Sequence, residues 1–217
     1  MKNPHANDWN DWAKMARNLS LEDLKESILS GYKSGKPFAP TELLLLGYNK
    51  LESVLDFGCG LGRNFPKLKA ISKNVYGYDL ADMLDAYVRE GADPEVSLHY
   101  SWDVARASRY DLTLASLVLQ HIPDKKIITD ILRDLSLCST CLYVGTRNYT
   151  DTTGHNVIKL IHDTGYWDIL ACNANLSDVL HNTPAINDHF AAVFKTNNKQ
   201  QLSWAGRRPD VRLRSDD

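Results

Sequence analysis

The sequence is organised around residues 54–64, Val-Leu-Asp-Phe-Gly-Cys-Gly-Leu-Gly-Arg-Asn. A short apolar run ends at Leu55, as in a buried strand, and glycines then occupy the alternate positions Gly58, Gly60 and Gly62. Glycine adopts positive φ and lets the backbone approach a ligand, because it has no Cβ. A helix beginning just after the loop would point its free N–H groups at the same place. The stretch therefore predicts the strand, glycine loop and helix with which α/β proteins build nucleotide sites.

The spacing of the glycines narrows the kind of site. It reads Gly-x-Gly-x-Gly, with Asp56 two residues before the first glycine, whereas the dinucleotide fingerprint requires Gly-x-Gly-x-x-Gly. Arg63 stands where that fingerprint has its third glycine. The stretch resembles instead motif I of the class I (Rossmann-like) S-adenosylmethionine (SAM) methyltransferases, which is an acidic residue followed by Gly-x-Gly-x-Gly.

Length and charge exclude several classes of protein. With 217 residues, the chain is expected to form one main domain with its own core. The formal charge of −2 gives no support to a nucleic-acid-binding surface. No apolar run approaches the roughly 20 residues of a membrane span, and the first twelve residues lack the apolar core of a signal peptide. We therefore predict a cytoplasmic protein that binds neither membrane nor DNA, with reduced cysteines.

The apolar patterns predict strands that alternate with helices. The predicted strands are residues 51–57, 75–79, 95–100, 110–116, 141–146, 166–171 and 189–194. The predicted helices are residues 40–48, 65–71, 82–90, 125–137 and 157–162, preceded by two helices near 9–16 and 20–30.

Asp79 ends the second predicted strand, about 20 residues past the glycine loop, where this architecture places a carboxylate that binds ribose hydroxyls. Two acceptor oxygens match two neighbouring hydroxyl donors. The alternative role is a helix N-cap, and the same side chain can serve both. In the family, an apolar residue that follows packs on the adenine face, which indicates Leu80 first and Met83 second.

The residues after the third predicted strand, Ser101-Trp102-Asp103, resemble the family position where a carboxylate accepts the adenine amino group. The resemblance implies this role for Asp103. Trp102 is either a wall of the adenine pocket or a core residue.

Residues 117–124, Leu-Val-Leu-Gln-His-Ile-Pro-Asp, resemble the Ser-x-Val-Leu-x-His-(Leu/Ile)-Pro-Asp stretch of the small-molecule branch. They follow the fourth predicted strand, and open α/β sheets bind ligands at the carboxyl ends of their strands. The resemblance implies that Leu117 to Gln120 run beside the methionine part of SAM. His121 is the candidate for acid–base work, or else it braces the loop around Pro123.

The resemblance covers about residues 40–196 and implies a three-layer αβα sandwich with a seven-stranded, mostly parallel sheet whose last strand is antiparallel. The implied function is transfer of a methyl group from SAM to an acceptor, with S-adenosylhomocysteine as product. The implied cofactor-binding residues are Asp56, Gly58, Cys59, Gly60, Asn64, Asp79, Leu80, Met83, Trp102, Asp103 and Leu119, and the catalytic candidate is His121.

A small-molecule acceptor is favoured. The sequence has neither the (Asn/Asp/Ser)-Pro-Pro-aromatic motif nor the Pro-Cys pair of DNA methyltransferases. A protein or RNA acceptor, a SAM-binding protein that does not methylate, and a nicotinamide-dependent oxidoreductase remain as alternatives. No metal site is predicted, because Cys138-Ser-Thr-Cys141 is one pair and zinc needs four ligands.

Three segments are expected. Residues 1–38 form a helical extension, which either packs against the domain or acts as a lid over the substrate pocket. Residues 39–196 form the SAM-binding domain, and residues 197–217 are a polar tail. The polar loop near 147–155, with Arg147, Tyr149 and His155, is expected on the substrate side.

Overall fold

A computed structural model describes residues 9–26, 47, 50–89, 91–122, 124–146, 156–172, 177, 180 and 190–197. Within these residues the strands are β1 (Leu51–Phe57), β2 (Ser72–Tyr78), β3 (Val96–His99), β4 (Tyr110–Ser116), β5 (Ser139–Thr146), β6 (Trp167–Cys172) and β7 (Phe190–Thr196). They form a seven-stranded sheet in the order β3-β2-β1-β4-β5-β7-β6. The first five strands are parallel to one another, whereas β7 is antiparallel to both β5 and β6. The predicted sheet and its antiparallel last strand are confirmed.

The described helices are α1 (Trp9–Ala16), α2 (Leu21–Glu26), α3 (Phe65–Ile71), α4 (Ala81–Arg89), α5 (Trp102–Ala107), α6 (Lys125–Cys138) and α7 (Val157–Asp163). A short 3₁₀ turn spans Leu119–His121. No helix in these ranges is long and apolar enough to cross a membrane. Apart from Gly47, the helix predicted at 40–48 lies outside the described residues, and so does the loop with Arg147, Tyr149 and His155.

Both faces of the sheet are covered, which explains its continuous apolar strands. In β1 only Glu52 is exposed. Side chains that alternate along the strands enter two separate clusters, with Leu55 and Val144 on one face and Val54 and Leu114 on the other. The two clusters are the two halves of a three-layer sandwich.

The strand order switches at β1: the chain adds β2 and β3 on one side of this strand and β4 on the other. A crevice opens outside the carboxyl ends of the strands at such a switch point. The strands end there at Phe57, Tyr78 and Ser116, so the residues that follow these three positions line the crevice.

The structure departs from the prediction at α5 and at the start of β2. Helix α5 was not predicted, because it has six residues and buries only Ala105, which leaves no apolar period to detect. Strand β2 begins three residues early, at Ser72, because Ser72 and Asn74 pair in register with Leu51 and Ser53. Backbone pairing extends this strand through residues whose side chains are polar.

Candidate functional site

The glycine loop between β1 and α3 has the backbone that its sequence requires. Gly58, Gly60 and Gly62 all have positive φ, at 74°, 53° and 72°. Residues with a Cβ are strained in this region. The N–H groups of Gly58 and Cys59 both donate to the carbonyl oxygen of Tyr78, at 2.8 and 3.1 Å, so the loop is tied to the end of β2.

Gly58 also brings the glycine loop against the segment that follows β4. A Cβ built on Gly58 would lie 2.4 Å from Cγ2 of Val118, which is far inside van der Waals contact. Only glycine therefore permits this approach. The contact joins the two stretches that the sequence analysis assigned to one ligand.

Asp79 connects the glycine loop to β2 through its carboxylate. Oδ2 accepts the N–H of Gly60 and Oδ1 accepts the N–H of Leu80, each at 2.7 Å. Burial raises the pKa of Asp79, and these two hydrogen bonds oppose the rise. A carboxylate has about four lone-pair sites, so both oxygens keep capacity for hydroxyl donors from a ligand.

Asp56 is a buried carboxylate with incomplete hydrogen bonding. Its side chain is 1 % exposed, and its Oδ2 accepts from Nδ2 of Asn64 at 3.3 Å. Oδ1 of Asp56 and Oδ1 of Asn64 have no hydrogen-bond partner in the described part of the chain. Burial raises the pKa of Asp56 to about 7, opposed by Asn64 and by the charge of Arg63. Two buried acceptors without partners, on side chains that are hydrogen-bonded to each other, fit a ligand that brings donors and positive charge.

Trp102 forms an aromatic wall at the ends of β1 and β2. Its ring centroid lies 5.3 Å from those of both Phe57 and Tyr78. Its indole N–H donates to Oδ2 of Asp134 on α6, at 3.2 Å. The ring is half-buried and packs against the core cluster that holds Phe57.

The other predicted cofactor-binding residues differ from one another in how exposed their side chains are. Asp103 lies in the first turn of α5 with 78 % of its side chain exposed, and its carboxylate pairs with Arg106 at 2.6 Å. Leu80 is half-buried. The side chains of Cys59, Met83 and Leu119 are buried in the core.

Helices α1 and α2 pack directly on the glycine loop. Leu61, between Gly60 and Gly62, is buried in one cluster with Ala16, Leu24, Met83 and Ala86. The guanidinium of Arg89 on α4 donates to the carbonyl oxygens of Arg17 and Leu19, and Arg17 pairs with Asp82. Sequence reasoning missed this contact, because nothing in the amphipathic pattern of α1 says which surface it covers.

The segment after β4 is held by backbone and side-chain hydrogen bonds. Leu117 has φ 61°, the single positive φ of a non-glycine residue in the described ranges, and its N–H donates to the carbonyl oxygen of Gly145 at 2.7 Å. Gln120, which the resemblance placed beside the methionine part of SAM, is buried, and so is Thr146, which the sequence analysis did not assign to the site. The Gln120 side chain contacts both Thr146 and His121. A polar side chain inside an apolar run marks Gln120 in the sequence, whereas no local pattern marks Thr146.

The cysteine pair belongs to the core. Cys138 is in the cluster on one face of the sheet and Cys141 is in the cluster on the other face. Both thiols are buried, and burial raises the pKa of Cys138 to about 11. Among the described residues, no group of three or more histidine, cysteine or acidic side chains is arranged to hold a metal ion.

The family model described as "Methyltransferase domain" matches residues 31–170 of the chain, which is more than half of its length. No curated protein matches the chain in sequence. The fold is similar to that of N-methyltransferase NodS from Bradyrhizobium japonicum WM9 in complex with S-adenosylhomocysteine. That likeness has a TM-score of 0.59 and 16% identity, over 87% of this chain and 98% of NodS.

Two further structures show the same fold. Magnesium protoporphyrin IX methyltransferase (ChlM) from Synechocystis PCC 6803, with bound SAM, has a TM-score of 0.55 and 13% identity, over 89% of this chain and 93% of ChlM. The complex of DhpI with S-adenosylhomocysteine has a TM-score of 0.59 and 15% identity, over 88% of this chain and 97% of DhpI. The chain therefore belongs to the methyltransferase-domain family and has the fold of the class I SAM-dependent methyltransferases.

Proposed function

We propose that this methyltransferase transfers the methyl group of SAM to a small-molecule acceptor, and that it does so in the cytoplasm. The observation that carries the proposal is the carboxylate of Asp79, held 2.7 Å from the N–H of Gly60 beside the orphaned oxygens of Asp56 and Asn64. Asp56 and Asp79 lie at the carboxyl ends of adjacent strands and Asn64 lies at the start of α3. A nucleoside with a cationic amino-acid part would present donors and positive charge to these acceptors.

Each group has a role in holding the donor. Asp79 would accept the ribose hydroxyls with the oxygen sites that its two N–H bonds leave available. Asp56 and Asn64 would accept from the charged amino-acid part, which relieves their unpaired burial. Leu80 and Trp102 would border the adenine, with Asp103 near its amino group. Bound SAM supplies a methyl group on a positively charged sulfur, which is an activated leaving group.

The chain's own contribution to rate would be mainly positional. A methyl transfer needs the acceptor atom in line with the bond that breaks, and holding two reactants in such an arrangement can lower a barrier by about 7–11 kcal/mol. The contact between Gly58 and Val118 keeps the loop that holds the donor against the segment that leads to His121. His121 would meet the acceptor from that segment.

A small acceptor is supported by charge and by likeness. The formal charge of −2 does not favour a polyanionic acceptor. The name of ChlM gives magnesium protoporphyrin IX as what that protein methylates. Methyl transfer to a protein or an RNA would be the competing outcome.

The N-terminal segment, residues 1–38, would act as a lid. Helices α1 and α2 are attached to α4 through Arg89 and to the glycine loop through Leu61. A lid excludes water from the reaction and completes the acceptor site. Because this lid rests on Leu61, it would support donor binding as well.

Thermal unfolding with added SAM, S-adenosylhomocysteine or NAD tests the proposal that SAM is the methyl donor. SAM and S-adenosylhomocysteine should each raise the melting temperature, because both bind only the folded state. NAD should not. A rise with NAD alone would replace the methyltransferase proposal with the oxidoreductase alternative.

A further inference from the structure

Thr146, Gln120 and His121 form a hydrogen-bonded row at the carboxyl ends of β4 and β5. Oγ1 of Thr146 donates to Oε1 of Gln120 at 2.9 Å, and Nε2 of Gln120 lies 3.2 Å from Nε2 of His121. Thr146 is 1 % exposed and Gln120 is 3 % exposed. The bond between Thr146 and Gln120 is buried, so water does not readily replace it and its donor and acceptor have to match. The contact between Gln120 and His121 is part-buried.

The row specifies which nitrogen of His121 carries the proton. The Gln120 amide oxygen is occupied by the Thr146 hydroxyl, so its amino group faces the imidazole. An amide nitrogen is a donor only, and Nε2 of His121 must therefore be the acceptor. In the neutral ring the proton then resides on Nδ1.

The opposite orientation of the amide is less well matched. Turning the Gln120 side-chain amide by half a turn would place its oxygen at His121 and its amino group at Oγ1 of Thr146. The Thr146 hydroxyl would then become an acceptor, and its own proton would lose the amide oxygen that now receives it. A buried donor without an acceptor is costly, so the arrangement with Nδ1–H on His121 is preferred.

Backbone hydrogen bonds hold the main chain at His121. Its N–H donates to the carbonyl oxygen of Val118 at 3.0 Å, and the N–H of Ile122 donates to that of Leu119 at 3.2 Å. These bonds form the 3₁₀ turn. The main chain at His121 is therefore held in place, and Gln120 contacts its ring.

We propose that Gln120 is a positioning residue that fixes His121 as the neutral Nδ1–H tautomer, so that His121 serves methyl transfer as a hydrogen-bond donor and not as a general base. The tautomer is a property of the chain alone, whereas its use in methyl transfer rests on the proposed function. If Nε2 of His121 took up a proton, it would become a donor that faces the donor N–H of Gln120, unless the buried amide turned.

Nitrogen NMR of the ¹⁵N-labelled full chain tests the proposal without any acceptor. Long-range proton–nitrogen spectra at about pH 8, where an ordinary imidazole is neutral, distinguish a protonated Nδ1 from a protonated Nε2. His121→Asn identifies the His121 signals among the seven histidines. The wild-type protein should show the proton on Nδ1, and a proton on Nε2 would overturn the proposal.

Variants at the two buried positions provide the control. Gln120→Glu presents an acceptor oxygen to the ring and should move the proton to Nε2. If the glutamate variant does not fold, Gln120→Met replaces it as the test. Methionine keeps the length of the side chain but cannot donate to the ring, so this variant should show a mixture of tautomers. Thr146→Val should also give a mixture, whereas Thr146→Ser should restore Nδ1–H. A ring that stays Nδ1–H in folded Gln120→Met would contradict the role of Gln120.

Titration with SAM separates this inference from the proposed function. If SAM binds and the His121 tautomer is independent of Gln120, the positioning role fails while the methyltransferase proposal stands. If the tautomer follows Gln120 and SAM does not bind, the positioning role stands while the methyltransferase proposal fails.

Discussion

The main-chain N–H of Gly60 donates to Oδ2 of Asp79 across 2.7 Å, and this bond makes one unit of the glycine loop and the acid at the end of β2. The glycine gives the loop its positive φ of 53°, and the acid receives the N–H that the loop presents. A change at either residue should therefore affect the same ligand.

Replacement of Asp79 by alanine should weaken SAM binding by about 1.5–3 kcal/mol, the range for hydrogen bonds to a charged group. Asp111→Ala is the matched control, because Oδ2 of Asp111 accepts the N–H groups of Glu52 and Ser53 at 2.7 and 3.1 Å. These residues lie at the amino ends of β4 and β1, opposite to the strand end that carries Asp79. Calorimetric titration should show normal SAM affinity for Asp111→Ala. Equal losses in both variants would mean that Asp79 acts only through stability.

The buried carboxyl of Asp56 should make stability depend on pH. Its pKa is about 7 in the folded protein against an ordinary value of 3.8, so between these values the folded state holds a proton that the unfolded state lacks. The free energy of unfolding therefore falls as pH rises through this window. Asp56→Asn should remove this slope and stabilise the protein at pH 8 by up to roughly 4 kcal/mol, as measured by denaturant unfolding.

The affinity for SAM should depend on pH in the opposite sense to the stability of the free protein, because the positive charge of SAM favours the ionised form of Asp56. Its affinity should rise with pH up to about 7 and then level off. The Asp56→Asn protein should bind SAM more weakly and without this rise. A wild-type affinity that is flat between pH 5 and pH 8 would separate Asp56 from the charged part of the donor.

Alanine at Gly58 should be more costly than alanine at another glycine of similar backbone. Gly91 has φ 93° with open space around it, so Gly91→Ala should lose only the roughly 1–2 kcal/mol of left-handed strain. Gly58→Ala adds overlap with Val118 and about 1–3 kcal/mol more. Adding Val118→Ala should recover part of that excess in urea unfolding. Equal losses at Gly58 and Gly91 would contradict the packing of the loop on the segment after β4.

Truncation of Leu24 tests whether the N-terminal helices support the glycine loop. Leu24→Ala and Leu135→Ala both remove fully buried side chains, and each should cost about 2–5 kcal/mol of stability. Leu24 shares a cluster with Leu61, whereas Leu135 lies on α6 and packs in the cluster on one face of the sheet. SAM affinity, measured where both variants are folded, should fall several-fold only for Leu24→Ala. Unchanged affinity would limit α1 and α2 to covering the core.

Much of the fold follows from local sequence. The predicted bounds of β1, α3 and β4 agree with the structure at every residue, because glycines and polar residues border apolar runs of ordinary length there. Helix α5 escapes prediction, since six residues with one buried side chain carry no periodic signal.

Contacts of the candidate site were predictable where they follow from residues at the ends of neighbouring strands. Asp79 and Gly60 meet because parallel strands end at one edge of the sheet, which sequence spacing can reveal. The contact of Gln120 with Thr146 spans 26 positions and depends on the alignment of β4 with β5, where Ser116 pairs with Gly145. Such a side-chain match is set by strand register and leaves no local pattern.

Methyl-labelled SAM provides the most direct test of the account. The purified protein is incubated with labelled SAM and an extract separated into small molecules, protein and RNA, with the Asp79→Ala protein as control. We expect label in a small molecule, formation of S-adenosylhomocysteine in equal amount, and loss of both with Asp79→Ala. Label confined to protein or RNA, or SAM that binds and is never consumed with any fraction, would contradict methyl transfer to a small-molecule acceptor.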